Sequence, residues 1–347
     1  MLDSSAERVV ARKAGLRYRI PSGAGIRRRK VGKGFTFVYP SGRPVRDAAT
    51  LKRIQALVIP PAWTSVWISP QPDAHIQATG RDARGRKQYR YHASYRKIRD
   101  EIKFQKLLVF GRSLKKLRVA VKRHLKLPGL PRQKVLATVV SLLETTSVRV
   151  GNDEYAKQNG SFGLTTLRNR HVKVHGDHIQ FHFRGKSGVE HTVEVTDPRL
   201  ARVVRSCQSI PGHELFTYVD EEGAVHSIDS GDVNEYLREL TGTEVTAKDF
   251  RTWNGSCLAI ANLMVQLQTS TTVTAKAVVE AIKEVAGCLR NRPATCKKFY
   301  VHPAVLSAYQ TGELTKCLAT LPRTNGRFRF RYEEQLLLAL LKNPASK

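Results

Sequence analysis

The chain has 347 residues, of which 41% are hydrophobic, enough for a substantial core and for two or three domains. It carries 59 Lys and Arg residues against 29 Asp and Glu residues, so its formal net charge is +30. This charge exceeds what solubility requires and predicts a polyanionic partner that is bound largely through phosphates. A basic surface without such a partner is the alternative, and the size of the charge favours nucleic acid.

The sequence shows no sign of export or of membrane insertion. Its first eight residues lack the apolar segment of a signal peptide, and its longest apolar run, Leu336 to Leu341, is too short to cross a bilayer. The five cysteines are odd in number and form no C-x-x-C pair. They are typical of buried thiols in a reducing compartment rather than of disulfides or a zinc site. We therefore expect a cytoplasmic, nucleoid-associated protein.

The N-terminal part of the sequence predicts a basic arm followed by a small β-rich domain. Residues 1–30 are polar and basic and favour an arm. A short helix is expected near residues 48–57, where Leu51, Ile54 and Leu57 recur at helical spacing. Strands are expected in F-T-F-V-Y from Phe35, V-W-I-S-P from Val66, H-I-Q-A-T-G from His75 and K-Q-Y-R-Y-H from Lys87. Residues 31–93 are therefore predicted to form a β-rich, DNA-binding domain.

Residues 94–347 predict a larger and mainly helical domain. Apolar residues recur every three or four positions in 94–126 and 133–148. Residues 171–195 instead alternate around two glycine turns, which predicts a three-stranded antiparallel sheet. The predicted fold class is α+β, with a small β-rich N-terminal domain and a mainly α catalytic domain that contains this sheet.

Helices are expected again from Pro198 to the end of the chain. Thr246 is followed three residues later by Asp249, which resembles the capping box at the start of a helix. That helix carries Lys248 and Arg251. An amphipathic helix is predicted over residues 332–342.

Tyr300 is the candidate nucleophile. A phenol ionises only near pH ~10, so it needs a cationic neighbourhood to attack as an oxyanion. Tyr300 follows Lys297 and Lys298 in C-K-K-F-Y-V-H-P. An ordinary half-buried tyrosine is the alternative, because the chain has eleven. Only its combination with the other motifs distinguishes it.

Two arginines are candidates for binding the phosphate that Tyr300 would attack. Arg149 lies in R-V-G-N at the end of an apolar helix, and Arg251 lies one helical turn after Lys248 in K-D-F-R-T-W. Guanidinium groups match the geometry of phosphate oxygens and can stabilise a pentacovalent transition state. For either arginine taken alone, a surface salt bridge is the alternative.

Lys186 and Asn291 complete the candidate catalytic set. Lys186 lies on a tight turn in F-R-G-K-S-G, where it could protonate a leaving oxygen as general acid. A P-loop is rejected, because Gln180 occupies the required glycine position and a strand follows. Asn291 could donate a hydrogen bond to the phosphate. A solvated turn lysine and a helix-end asparagine are the respective alternatives.

Basic and aromatic residues are interleaved in G-R-K-Q-Y-R-Y-H, from Gly85 to His92. On a strand, Lys87, Tyr89 and Tyr91 would share one face suited to DNA contacts. A solvated strand with a packed tyrosine pair is the alternative. The candidate DNA-binding residues are Lys87, Gln88, Tyr89, Arg90, Tyr91 and Lys248.

Taken together, these segments resemble the poxvirus-like and bacterial type IB DNA topoisomerases. The resemblance extends from Gly34 to Pro303. Its motifs are I-P-P-A-W from Ile59, G-R-K-Q-Y-x-Y-H from Gly85, S-F-G-L-T-T-L from Ser161, F-R-G-K-S-G from Phe183, K-D-F-R-T-W from Lys248 and F-Y-V-H-P from Phe299.

The resemblance implies a monomeric, C-shaped clamp around duplex DNA, with Arg149, Lys186, Arg251 and Tyr300 on the family's catalytic positions. It also implies relaxation of positive and negative supercoils through a 3′-phosphotyrosyl intermediate, without metal, ATP or another nucleotide cofactor. One departure is Asn291, since eukaryotic and poxvirus members usually have histidine there. An asparagine can bind a non-bridging oxygen but cannot carry a proton.

Two other functions fit parts of the pattern. A tyrosine recombinase would share the nucleophile, but such enzymes typically have histidine three residues before the second arginine, where this chain has Lys248. A non-catalytic architectural DNA-binding protein would bind and bend DNA without any covalent adduct.

Overall fold

The computed structural model describes residues 4–32, 34–83, 85–269, 273–321 and 332–342. The chain divides into two compact units, one ending at Lys103 and the other beginning at Phe104. Each unit is described separately.

The first unit contains a five-stranded antiparallel sheet in the order β2-β1-β3-β4-β5. Its elements are α1 (Ser4–Lys13), β1 (Ile26–Val31), β2 (Gly34–Val38), α2 (Ala48–Ala56), β3 (Thr64–Ile68), β4 (Ile76–Arg81) and β5 (Lys87–Tyr91). Ile26, Ile68 and Ala78 of the sheet are fully buried in one cluster with Ile54 of α2. The predicted helix and strands are confirmed.

Regular structure extends into residues 1–30, which the sequence predicts as a basic arm. Strand β1 begins at Ile26 and lies between β2 and β3, and Arg17 pairs with Ala74 in an isolated bridge. The basic composition did not indicate a strand, because the sequence does not show that an arginine of this strand binds carbonyl oxygens in the same unit. Arg28 donates to the carbonyl oxygens of Pro60 at 3.0 Å and Pro61 at 3.2 Å, so its charge is satisfied inside the unit.

The boundary between the units falls within α3 (Ala93–His124), after the predicted position at residue 93. The first turn of this helix belongs to the first unit because Tyr95 is 1% exposed there. Its ring stacks on Tyr91 at 5.2 Å and meets His75 edge-on at 5.1 Å. The spacing of apolar residues indicates where a helix starts, but it does not indicate the unit against which the first turn packs.

The second unit is mainly helical. After α3 its elements are α4 (Arg132–Thr146), α5 (Asp153–Asn159), β6 (Val172–His175), β7 (His178–Arg184), β8 (Glu190–Thr196), α6 (Pro198–Gln208), β9 (Thr217–Val219), β10 (Val225–Ser227), α7 (Ser230–Thr241), α8 (Ala247–Thr269), α9 (Ala275–Leu289), α10 (Pro293–Phe299), α11 (Pro303–Gln310), α12 (Glu313–Thr320) and α13 (Tyr332–Lys342). The predicted α+β fold class is confirmed. No helix in the described ranges is both long and apolar enough to cross a membrane.

Helix α8 runs through the core of the second unit. Trp253, which is 1% exposed, packs edge-on against Phe110 at 5.8 Å. Its indole N–H donates to the buried carboxylate of Glu334 on α13 at 3.0 Å. The predicted capping contact is present at the start of α8, where the backbone N–H of Thr246 donates to Asp249 at 2.7 Å.

The predicted three-stranded antiparallel sheet is confirmed, with the order β6-β7-β8. Phe183 of β7 stands directly opposite His191 of β8. The turn between these strands is closed by a hydrogen bond from the Gly185 N–H to the Val189 carbonyl oxygen at 2.7 Å. Lys186 is the first residue inside this turn.

Candidate active site

Arg149 lies in a loop that is fixed by its own backbone. Helix α4 ends at Thr146, and the next residue, Ser147, has a left-handed φ of +55° and turns the chain away. The Arg149 carbonyl oxygen accepts from the Leu164 N–H at 2.9 Å. A Cβ on Gly163 would lie 2.6 Å from that same oxygen, so the two segments touch through backbone. The arginine is therefore held where the loop crosses residues 163–164.

Arg251 is a buried arginine, 4% exposed, on the second turn of α8. Its guanidinium donates to the carbonyl oxygens of Ser147 and of Leu289, the latter at 2.8 Å. These two oxygens come from the ends of α4 and α9, so the guanidinium joins both helix ends. Its Nε–H is buried and has no hydrogen-bond partner within the described part of the chain.

Asn291 lies beyond the end of α9 and faces Arg149. Its side-chain oxygen accepts a hydrogen bond from the Arg149 guanidinium at 2.9 Å. Its amide nitrogen is buried and, among the residues that are described, has no partner. Buried polar groups are normally satisfied. Arg251 Nε and Asn291 Nδ2 are therefore two donors that an acceptor at this site could use.

Tyr300 ends α10, and its hydroxyl is hydrogen-bonded to both Arg251 and Arg149. The carbon at the centre of the Arg251 guanidinium lies 5.0 Å from the centre of the phenol ring. On its backbone side, Tyr300 packs closely on α8, because a Cβ on Gly255 would lie 2.5 Å from the Tyr300 carbonyl oxygen. The structure thus brings Tyr300, Arg149, Arg251 and Asn291 together from four separate segments.

The charges of this cluster shift the pKa values of Tyr300 and Arg251. Burial raises the pKa of the Tyr300 hydroxyl, but the positive charges of Arg251 and Arg149 and their hydrogen bonds outweigh it, so the pKa lies below the ordinary value. Burial and the neighbouring charge of Arg149 lower the pKa of Arg251 to about 10. Arg251 therefore remains charged near neutral pH, and the phenol is easier to ionise than one in water.

Lys186 is exposed at the start of the β7–β8 turn. Next to it, Gly185 packs on the buried ring of His191. Burial lowers the pKa of His191 to about 4, and the charges of Arg290, Arg149 and Arg251 contribute to this shift. The base of the turn is therefore close enough to the arginine cluster to sense its charge, and the lysine extends from that base.

A tyrosine hydroxyl held by two arginines beside an asparagine has the chemistry that attack on a phosphodiester requires. Residues 92–321 match the family described as eukaryotic DNA topoisomerase I, catalytic core, and this range contains all four residues. The chain belongs to the type IB DNA topoisomerases.

Further similarities agree with this family. Residues 34–82 match the bacterial DNA topoisomerase IB N-terminal domain. DNA topoisomerase 1B of Acanthamoeba polyphaga mimivirus is 33% identical over 294 residues, which cover 82% of this chain and 88% of the relative. DNA topoisomerase 1B of vaccinia virus (strain Copenhagen) is 24% identical over 233 residues, covering 65% of this chain and 70% of the relative. Enzymes of this family are isomerases.

The candidate DNA-binding residues of β5 divide between two faces. The rings of Tyr89 and Tyr91 stack at 5.9 Å, and the Lys87 ammonium lies 5.6 Å from the Tyr89 ring centre. These three side chains therefore line one face. Arg90 instead donates to the Val58 carbonyl oxygen at 2.8 Å.

The other two candidates also differ in how they are held. Gln88 donates to the Asp82 carboxylate at 3.0 Å, so like Arg90 it is bonded within its own unit. Lys248 is exposed on α8, one turn before Arg251. Among the six candidate DNA-binding residues, Lys87, Tyr89 and Lys248 are therefore the most exposed.

Sequence reasoning missed two residues near the site, Arg290 and His191. Arg290 donates to the carbonyl oxygens of Glu190 and Thr192 on β8. His191 lies between these two residues and is 4% exposed. Neither residue gives a signal in the sequence, because one is a basic residue among 59 and the other is part of an ordinary alternating strand.

Proposed function

We propose that this chain relaxes positive and negative supercoils of duplex DNA by cutting one strand, letting the duplex swivel and resealing the cut. The observation that carries the proposal is the hydrogen-bonded contact of the Tyr300 hydroxyl with Arg149 and Arg251. Such a contact lowers the free energy of a phenolate and also places it beside two phosphate-binding groups. The net charge of +30 supports a DNA substrate.

In the cleavage step, Tyr300 first loses its hydroxyl proton to solvent, and the resulting phenolate oxygen attacks the scissile phosphorus, forming a P–O bond to the strand that ends in the 3′ phosphate. The P–O5′ bond breaks, and Lys186 gives its proton to the departing 5′ oxygen. The products are a 3′-phosphotyrosyl link and a free 5′-hydroxyl. Proton donation matters because an alkoxide is a poor leaving group.

The transition state carries extra negative charge on the non-bridging oxygens. Arg149, the Nε–H of Arg251 and the amide N–H of Asn291 are the donors that we assign to these oxygens. Arg251 is pre-organised for this role, because its other donors are fixed on the carbonyl oxygens of Ser147 and Leu289. Donors that need no reorganisation during the reaction stabilise charge most effectively.

Resealing reverses the same steps. The 5′-hydroxyl returns its proton to Lys186 and attacks the phosphotyrosyl phosphorus, and Tyr300 leaves. The phosphodiester energy is kept in the covalent link, so the cycle consumes no ATP. Fixed positive charge takes the part that a metal ion has in metal-dependent nucleases, so we propose that activity persists in EDTA.

The arrangement on DNA is a further part of the proposal. We propose a monomer that closes as a C-shaped clamp on the duplex and acts on the nucleoid in the cytoplasm. Lys87, Gln88, Tyr89, Arg90, Tyr91 and Lys248 are its proposed DNA contacts. The shared face of Lys87, Tyr89 and Tyr91 supports this, since it combines a phosphate-binding ammonium with two aromatic rings.

The test is incubation with supercoiled plasmid in EDTA without nucleotide, followed by SDS to trap covalent adducts. We expect complete relaxation by the wild-type protein and neither relaxation nor adduct with Tyr300→Phe, which lacks only the attacking oxygen. Relaxation by Tyr300→Phe would overturn the assignment of the nucleophile.

A plasmid without repeated recombination sites also separates this function from the two alternatives. A recombinase should need paired sites and several subunits before it exchanges strands. An architectural protein should bind this plasmid but form no adduct, and its binding should be unchanged by Tyr300→Phe.

A further inference from the structure

Arg290 has an unusual backbone for a residue with a side chain. It follows the last residue of α9 with a left-handed φ of +49°. Glycine adopts this conformation without strain, whereas other residues adopt it at a cost in free energy. Backbone strain of this kind persists where surrounding contacts compensate for it, often at functional sites.

The compensating contacts are made by the Arg290 guanidinium. It donates to the Glu190 carbonyl oxygen at 2.6 Å and to the Thr192 carbonyl oxygen at 2.7 Å. A planar fork of donors suits two acceptors in this arrangement, and a single ammonium does not reproduce it. The next residue along the chain, Asn291, accepts from Arg149. Residues 290–291 therefore join strand β8 to the phosphate-binding group.

His191 lies between the two residues, Glu190 and Thr192, whose carbonyl oxygens bind Arg290. Its ring stacks on Phe183 across the strand pair, with ring centres 5.0 Å apart and planes 10° apart. A Cβ on Gly185 would lie 2.6 Å from the ring's Cδ2 and Nε2 atoms, so the glycine backbone rests on the imidazole. Lys186 follows Gly185 directly. The position of the lysine thus depends on the position of this ring.

We infer that Arg290 is a positioning residue for proton transfer: through β8 and His191 it holds the turn that carries Lys186 in register with Arg149 and Asn291. This inference rests on the proposed function and adds to it how the general acid is aligned. The cleavage step is the one proposed above. The Tyr300 phenolate, whose proton has passed to solvent, bonds to phosphorus, the P–O5′ bond breaks, and the Lys186 proton passes to the 5′ oxygen.

The inference predicts a defect that depends on the leaving group. Replacing the bridging 5′ oxygen by sulfur gives a thiolate, which leaves without a proton because thiols are far more acidic than alcohols. A variant impaired only in proton donation should therefore be slow on the oxygen substrate and close to wild type on the sulfur substrate. A variant impaired in phosphate binding should be slow on both.

The experiment measures single-turnover adduct formation at saturating enzyme on two duplexes that differ only in that atom, placed at a site that the wild-type enzyme cleaves. Arg290→Gly keeps the left-handed backbone and removes the side chain. We expect it to be about ten-fold or more slower on the oxygen substrate, since small misplacements of catalytic groups cost up to ~100-fold. It should approach the wild-type rate on the sulfur substrate, as should Lys186→Ala.

The controls distinguish the possible failures. Arg149→Ala should be slow on both substrates. Arg290→Lys keeps the charge but not the paired donors of the guanidinium. We expect a smaller decrease in the rate of adduct formation, on the oxygen substrate alone. A wild-type rate for either Arg290 variant on the oxygen substrate, or an equal slowing on both substrates, would overturn the inference. The proposed function itself fails only if the wild-type protein forms no adduct with either substrate.

Discussion

The hydroxyl of Tyr300 lies between two guanidinium groups, and this neighbourhood determines how cleavage should depend on pH. Because Arg251 and Arg149 lower the pKa of the phenol against the effect of burial, the reactive oxyanion becomes available at lower pH than in water. In the proposed mechanism, the charges assigned to the phosphate therefore also lower the pKa of the phenol that attacks it.

We expect the acid limb of the pH–rate profile to level off below pH ~10, the ordinary pKa of tyrosine. Arg149→Ala removes one of the two stabilising charges, so it should move this limb to higher pH in addition to slowing the reaction. Single-turnover cleavage rates of both proteins, measured from about pH 5 to pH 9, check this. Identical limbs in the two proteins would contradict the assigned cause.

His191 gives a prediction for stability rather than for rate. Its pKa is lowered to about 4 in the folded protein by burial and by the charges of Arg290, Arg149 and Arg251. The unfolded chain then binds more protons than the folded chain between about pH 6.5 and pH 4, so acid favours unfolding in this window. The free energy of unfolding is therefore unaffected by the protonation of His191 above pH ~6.5 and falls by about 3 kcal/mol as the pH drops to about 4.

His191→Phe keeps an aromatic ring beside Phe183 but cannot be protonated. Its free energy of unfolding should therefore fall less than that of the wild type between about pH 7 and pH 4. Urea unfolding at a series of pH values measures the difference. Parallel curves for the two proteins would show that His191 is not the group responsible.

Among the elements, the β7–β8 turn depends on a missing side chain. A Cβ on Gly185 would meet the His191 ring at 2.6 Å, whereas one on Gly287 of α9 would meet nothing within 4 Å. Gly185→Ala should therefore shift the turn and slow cleavage of ordinary DNA by about ten-fold or more. Gly287→Ala is the matched control, and its cleavage rate should equal that of the wild type.

Helix α13 is attached by a buried charge to α8, the helix that carries Arg251. Glu334 is fully buried, receives hydrogen bonds from Arg118 at 2.7 and 3.1 Å and accepts another from Trp253 at 3.0 Å. Arg118 also contacts Glu144 of α4, so one guanidinium links three helices. Trp253 lies two positions after Arg251, which places this network directly behind the site.

Glu334→Ala should lower the free energy of unfolding by about 3 kcal/mol, the lower end for breaking a buried ion pair, because Arg118 keeps Glu144 as a partner. The matched control is Glu333→Ala on the adjacent, more exposed position of α13, with an expected change within about 0.5 kcal/mol. Chemical denaturation of the three proteins gives both values. Equal values for the two variants would show that the network does not stabilise the fold.

For the whole molecule, the excess of 59 basic over 29 acidic residues predicts how binding responds to salt. A protein that contacts about six to ten phosphates loses roughly 10³- to 10⁵-fold in affinity between about 50 and 200 mM salt. Tyr300→Phe, which should bind without cutting, allows this measurement by titration on an unrelated duplex. An affinity that barely changes with salt would contradict binding through phosphates.

The sequence was informative where local pattern and structure coincide. The alternation of residues 171–195 predicted the sheet, and the Thr246 and Asp249 pair predicted the start of α8, because strand faces and helix caps are local features. The structure brings four of the predicted site residues together, although spacing alone did not indicate this, and their roles stay predictions. Their assembly depends on contacts between distant segments.

What could not be predicted depends on tertiary contacts that leave no local pattern. Strand β1 looked like an arm because it is basic, and the partners of Arg28 are carbonyl oxygens of a distant loop. The position of Arg290 depends on a left-handed backbone and on acceptors 98 and 100 residues away. Neither could be inferred from residues that are adjacent in sequence.

The reacting groups come from segments as far apart as Arg149 and Tyr300, and the buried Glu334 behind them lies nearer still to the C-terminus. During synthesis, the ribosome must therefore deliver most of the polypeptide before Tyr300 can meet Arg149 and Arg251. On the proposed mechanism, a product that stops short of α10 lacks Tyr300 and forms no covalent adduct with DNA.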